Sequence, residues 1–142
     1  MKLNTNTYTT RLSVRPDDID MFQHVHSSRY VDYVLAARFD QMARCYHCSM
    51  QEFLDHGFGW VLVSTQMDFK RPLKLGDEFD VVTHLMEFEK NIALVAFDIK
   101  HAATGKSCCS GWAKYTLVYL DSGKIAQIPD WVMERYSLPE ES

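Results

Sequence analysis

Apolar positions along this chain change period twice, and the changes separate a strand, a long helix and a run of further strands. Over residues 9–14 apolar and polar positions alternate around Leu12 and Val14 among β-favouring residues, which predicts a first strand running into the acidic segment Asp17-Asp18-Ile19-Asp20. From Ser28 the spacing lengthens. Val31, Val34, Leu35, Phe39, Met42 and Cys45 recur at helical intervals, with Arg38 and Arg44 interrupting the apolar side, and this is the one long helix. Ser27 or Ser28 is placed to act as its N-cap by accepting a hydrogen bond from an unpaired N–H, and Asp32 complements the positive end of the dipole. Residues 50–56 predict a short second helix that Gly57 and Gly59 stop.

Beyond Gly59 the period is that of strands, predicted over residues 60–69, 79–88, 92–101 and 107–120. Short turns connect them: Pro72 with Gly76-Asp77, then Glu89-Lys90-Asn91, then Thr104-Gly105-Lys106. Connections this short predict antiparallel neighbours. Asp121-Ser122-Gly123-Lys124 ends the last long strand, and Pro129 precedes an amphipathic stretch, residues 130–136, that predicts a terminal helix. The order strand, long helix, four strands argues for an α+β domain with one helix packed on an antiparallel sheet. Two strands are apolar on both faces: Val61, Val63 and Met67 against Trp60 and Leu62, and Ala93, Val95, Phe97 and Ile99 against Ile92, Leu94 and Ala96. One helix covers one face, so a second copy of the chain is expected on some of the rest, as a homodimer or homotetramer.

Composition narrows the classes. A chain of 142 residues, 46% hydrophobic, is the size of one domain able to bury a core without staples, and no repeat or linker divides residues 1–142 apart from the acidic end Glu140-Glu141-Ser142. The net charge of −4 offers no basic excess for a phosphate backbone, so nucleic acid is not an expected partner. A polar N-terminus and the lack of any long apolar run predict neither signal peptide nor membrane span, hence a cytoplasmic protein. Cys45-x-x-Cys48 beside His47 has half the spacing of a zinc site, but the other two cysteines, Cys108 and Cys109, are adjacent, and on a strand they point to opposite faces. All four are expected as reduced thiols filling space, with no metal.

The chemistry concentrates in Asp17-Asp18-Ile19-Asp20-Met21-Phe22-Gln23-His24-Val25-His26-Ser27-Ser28-Arg29-Tyr30, which leads into Val31-Asp32-Tyr33. Read from the residues alone, it is an acidic loop ahead of a helix start. Such a helix end offers unpaired donors and a positive partial charge where an oxyanion develops, and a carboxylate a short loop upstream can attack a carbonyl or activate water. A carboxylate with a pKa of about 4 is ionised at neutral pH but weakly basic, which suits a thioester with its good thiolate leaving group. In order and spacing the segment resembles the signature of the 4-hydroxybenzoyl-coenzyme A thioesterase branch of the hotdog superfamily. There an aspartate, a short loop with His-Val, Asn or Ser residues and a helical Tyr recur in this sequence. Arg71-Pro72-Leu73-Lys74-Leu75-Gly76-Asp77 resembles that family's turn between its second and third strands, so the likeness spans nearly the whole chain.

The resemblance implies a hotdog fold, an antiparallel five-stranded sheet wrapped around one long central helix. It also implies an acyl-coenzyme A thioesterase that uses no cofactor, acting on an acyl thioester of coenzyme A or of an acyl carrier protein. It puts Asp20 in the role of nucleophile or general base and the amide near Ser27 in that of carbonyl polariser. His24 matches a frequent histidine whose ring either fixes the loop or contacts the thioester. Tyr30 is expected to pack at the helix start, and Asp17 and Asp18 to be solvated charges. Two departures bear on how the loop turns: Gln23 stands where many relatives have Gly or a similar small residue, and His26-Ser27 where Asn-Asn is common. Lys70, Arg71 and Lys90 are candidates for the coenzyme A phosphates, and Trp60, Met67, Phe69 and Phe22 for the acyl wall. Two rivals stay open: a hotdog hydratase or dehydratase, which would want a His and an acid on or near the helix, and a module that binds acyl thioesters without cleaving them.

Overall fold

A computed structural model describes residues 2–139, so the acidic end Glu140-Glu141-Ser142 lies outside the described residues, as does Met1. The elements in order are β1 (Lys2–Leu3), β2 (Tyr8–Ser13), a 3-10 turn (Pro16–Asp18), α1 (Arg29–Arg44), α2 (Met50–Asp55), β3 (Phe58–Phe69), β4 (Glu78–Glu89), β5 (Ile92–His101), β6 (Ser107–Tyr119), α3 (Asp130–Arg135) and β7 (Ser137–Leu138). Five strands form one antiparallel sheet in the order β2-β4-β5-β6-β3, and β1 pairs with β7 as a separate two-stranded ribbon. The helix, the sheet and their order agree with the α+β hotdog expectation. The β1–β7 ribbon had no signal in the sequence, because two-residue strands carry no period.

Alternation decides the inner face. On β5 Ala93, Val95, Phe97 and Ile99 are buried while the residues between them are half-buried. Against this face α1 lays Tyr30, Tyr33, Val34, Ala37 and Met42, all buried, at the three- and four-residue spacing of a helical stripe. Bulges between Leu62 and Ser64 on β3 and between Leu85 and Glu87 on β4 bend the sheet around the helix. Gly111 on β6 is needed where it stands, since a Cβ there would lie 1.8 Å from the carbonyl oxygen of Gln66 on β3.

A polar thread crosses this core. Arg44 pairs with Asp40 at 2.9 Å, the Thr10 hydroxyl donates to Asp40 at 2.5 Å, Gln41 donates to Thr10 at 3.1 Å, and Thr83 donates to Gln41. It ties α1 to β2 and β4 with every buried side-chain group in the chain of bonds partnered, which is what a buried polar network requires.

The helix start differs from expectation in one respect. Ser28 occupies the cap position with helical dihedrals, and its hydroxyl makes no cap bond; it pairs instead with Nδ1 of His26 at 2.8 Å. Ser49 does cap α2, accepting from the Glu52 N–H at 3.1 Å. Trp60 is core rather than acyl wall: it packs edge-on against Phe53 and tilted against Phe88 at the opposite end of β3 from Phe69. The edge strand β3 leaves Val61, Leu62 and Val63 exposed, and α1 leaves Leu35 and Phe39 exposed.

Candidate active site

Residues 15–27 fold into a compact turn whose two sides have different duties. The 3-10 turn carries Asp18 inward, where it is 6% exposed and accepts from the Tyr33 hydroxyl at 2.7 Å and the Arg15 N–H at 2.9 Å. Burial and the Asp18 bond together push the Tyr33 phenol far above its ordinary value, so it remains a donor. Asp18 is therefore a structural carboxylate and not a solvated charge. Asp17, by contrast, is exposed beside Arg15 at 3.3 Å.

Past Asp18 the chain reverses. Ile19 and Val25 form an antiparallel bridge, the Asp20 N–H donates to the His24 carbonyl at 2.9 Å, and the Gln23 N–H donates to the Asp20 carbonyl at 3.0 Å. Closing so short a loop puts Gln23 at φ 64°, the left-handed region that glycine occupies at no steric cost. The second strand-like half is pinned to the chain after β3, by a His24–Lys74 bridge and by the Val25 N–H donating to the Leu73 carbonyl at 2.8 Å. One oxygen of Asp20, Oδ1, accepts from the Phe22 N–H at 2.9 Å and more weakly from the His24 N–H at 3.4 Å. Among the described residues no donor reaches the other, Oδ2.

Asp20, His24, His26 and Ser27 line a groove of about 400 Å³ together with Val25 and Tyr30, and Phe69, Lys70, Arg71 and Pro72 form its other wall. The Ser27 N–H has no acceptor among the described residues, whereas its carbonyl accepts the Tyr30 N–H at the start of α1. The groove thus brings together a half-buried carboxylate with an open oxygen, a histidine ring and a free amide at the positive end of a 16-residue helix. Tyr30 forms the groove's floor, edge-on to Phe69 and Tyr33, and burial pushes its phenol up to about 12, so it stays neutral. Phe69 lines the groove, whereas Phe22 is exposed on the loop outside it.

Of the basic candidates, Lys70 and Arg71 stand at the groove, held by backbone bonds from both residues to the Cys108 carbonyl. Lys90 does not: it sits in the β4–β5 turn, where its carbonyl accepts the Ile128 N–H, at the other end of the sheet. A neighbouring hollow that shares Arg71 and Pro72 with the groove adds Lys74 and Lys106. Sequence reading missed these two, because they come from different turns that only the antiparallel sheet brings side by side. The thiols stay away from this chemistry: burial pushes Cys48 and Cys109 up to about 12. Among the described residues no group of three or more His, Cys, Asp or Glu is placed to hold a metal ion, and no helix is long and apolar enough to cross a membrane.

Known proteins resemble this chain in sequence and in fold. The long-chain acyl-CoA thioesterase FadM of Escherichia coli (strain K12) is 21% identical over 126 residues, covering 89% of this chain and 94% of that protein. A DHNA-CoA thioesterase from Staphylococcus aureus superposes with a TM-score of 0.84 at 16% identity, over 92% of this chain and 88% of that one. The 1,4-dihydroxy-2-naphthoyl-CoA thioesterase Slr0204 from Synechocystis does so with a TM-score of 0.80 at 20% identity, over 92% and 96%. These likenesses establish the hotdog fold. The model of the thioesterase-like superfamily matches residues 14–136, the span that holds the acidic loop, α1 and strands β3 to β6, and the chain belongs to that family.

Proposed function

We propose that this protein hydrolyses acyl-coenzyme A thioesters to the free acid and coenzyme A, with Asp20 as its reactive carboxylate. The observation that carries the reading is the pairing, in one groove, of the open Asp20 Oδ2 with the unpaired Ser27 N–H at the start of α1. A thioester carbonyl seated with its oxygen on that amide has its developing negative charge met by an N–H and by the helix dipole. Asp20 then acts in one of two ways. As base it takes a proton from water while the hydroxide adds to the carbonyl carbon. As nucleophile its Oδ2 adds directly, and water later cleaves the mixed anhydride. In both, the C–S bond breaks as the tetrahedral centre collapses, and the sulfur leaves as a thiolate that takes up a proton.

Lys70 and Arg71 at the groove, with Lys74 and Lys106 in the adjoining hollow, supply the positive surface that the carrier's phosphates need. FadM and the two DHNA-CoA thioesterases are named for coenzyme A esters, which supports that carrier over a carrier protein. The hydratase reading loses ground on α1 itself, which carries no histidine and whose Asp32 is exposed and paired with Arg29 at 3.6 Å. The working unit is a homodimer at least: Leu35, Phe39 and the Val61-Leu62-Val63 edge are apolar surface that a second copy would cover.

The test is thiol release from a panel of short, long and aromatic acyl-coenzyme A esters by wild type and Asp20→Asn. The expected result is turnover of at least one class by wild type and its loss in the variant. Binding of every ester with no thiol released by wild type would support the non-catalytic module instead. Sedimentation is expected to give a dimer or larger that Phe39→Glu weakens; a monomeric wild type would remove the second copy.

A further inference from the structure

Arg38 is the feature of the helix that thioester hydrolysis leaves unused. It is 5% exposed on the buried side of α1, with its guanidinium carbon 4.4 Å from the centre of the Tyr115 ring. No carboxylate among the described residues pairs with it, and its Nη1 is buried without a hydrogen-bond partner. A guanidinium cannot shed its proton to escape such a site, so the charge stays and requires compensation. The Tyr115 ring face supplies part of it.

Facing the same small void is Tyr136, 1% exposed and stacked between the rings of Tyr46 and Phe88, whose hydroxyl is likewise buried without a partner. Its phenol is pushed up by burial, an effect that the nearby Arg38 charge only partly opposes, so it too presents a proton. Of the other polar wall residues, Gln41 accepts from Thr83 and donates to Thr10 behind the wall, while Tyr46 and the exposed His84 carry no charge that pairs with the guanidinium at neutral pH. The void is about 10 Å³, room for one atom-sized guest, and it shares no wall residue with the Asp20 groove. An acyl chain does not fit it. A water molecule would satisfy both donors but would leave the buried guanidinium charge without a counter-ion. A small anion accepts from both and neutralises the guanidinium.

We propose that the void between Arg38 and Tyr136 is a built site for one halide-sized monovalent anion, chloride being the form available in cells, which acts as the counter-ion of the core. Its two donors come from the middle of α1 and the end of α3, so the ion fastens the C-terminal segment onto the central helix. Because the site lies apart from the groove, it bears on folding whether or not the hydrolase reading stands.

The test uses the whole chain, unfolded by denaturant in sodium bromide or in sodium gluconate at matched sodium concentration and ionic strength, so that screening is equal. Above the dissociation constant each tenfold rise in bromide should multiply the folded-to-unfolded ratio about tenfold per chain, with no such rise in gluconate. Arg38→Met, which keeps an unbranched chain of similar reach, should abolish the bromide increment. Should that variant fail to fold, Tyr136→Phe keeps the stacked ring and removes one donor, and should move the bromide midpoint several-fold higher. Crystals grown in bromide should show an anomalous peak between Nη1 of Arg38 and the Tyr136 oxygen. Superposed bromide and gluconate curves for wild type, water only at that position, or an unchanged response in Tyr136→Phe would each overturn the proposal.

Discussion

Asp18 and Asp20 are two residues apart in one acidic run, and the fold uses them in opposite ways. Asp18 is buried under α1, where its Oδ2 accepts from both the Tyr33 hydroxyl and the Arg15 amide and its Oδ1 faces Arg29 at 3.9 Å. Asp20 is held by one oxygen on the far side of the turn, with the other left without a protein donor at the groove. A buried carboxylate that fixes a buried phenol holds structure together; a half-buried one with an oxygen open at a groove, beside a free amide, is available to a substrate. The difference comes from a single turn of 3-10 helix followed by a bridge, which rotates neighbouring side chains to opposite sides.

The widest separation between the two should appear in activity. Asp20→Asn is expected to lower kcat on the best acyl-coenzyme A ester by about 10²–10⁴-fold, the range for loss of a positioned acid or base, while the denaturation midpoint moves little. Asp18→Ala should do the reverse. It strands the buried Tyr33 hydroxyl, so unfolding free energy should drop by about 2–3 kcal/mol, with kcat per folded molecule changed by a few-fold at most. Urea denaturation and steady-state kinetics on both variants check this, and a variant that loses both properties equally would dissolve the distinction.

Asp40 sharpens the comparison as a second structural carboxylate, at the other end of α1. Hydrogen bonds from Arg44 and then Thr10 hold it below the usual carboxylate range. A depressed folded pKa means that its stabilisation is present above the unfolded value of about 3.9 and is lost as pH falls through the lower, folded value. Asp40→Asn should therefore cost roughly 1 kcal/mol at pH 7, a modest figure because the pair is part-exposed. That cost should shrink below about pH 4 in denaturation curves taken across pH. The smallest effect is expected at Gln23→Gly, which relieves left-handed backbone strain but adds freedom to the unfolded chain. The two oppose, and stability should change by less than about 1 kcal/mol.

Most of the sheet and all three α-helices were legible, α1 and the long strands by their period and the two short helices by the glycines and the proline that bound them. The strand predicted over 92–101 coincides with β5, and the other long strands differ by one or two residues at their ends, where side-chain alternation no longer matters. The site was legible in part. Asp20, His24 and Ser27 do meet in one groove, since a loop this short cannot scatter them. Asp18 was misread because three acids in four residues look solvated, and nothing local announces Tyr33, a partner 15 positions on. Lys90 was placed with Lys70 and Arg71 by the common feature of lying near strand ends; a sheet has two ends, and sequence does not say which. Arg38 was visible as an interruption of the apolar stripe, but its want of a counter-charge is a property of what surrounds it in space.

With Asp20 as the proposed reactive carboxylate, the tether on its Oδ1 has a kinetic meaning. A surface aspartate samples several rotamers and must be caught in the reactive one at each encounter, whereas this side chain has surrendered that freedom when the loop folds. The entropy given up, of order 0.5–1 kcal/mol for a short side chain, is settled once per molecule and not once per turnover. It also makes length as important as charge. A glutamate at position 20 would keep the negative charge, carry its carboxylate one methylene past the Phe22 amide, and arrive at the groove without an aim.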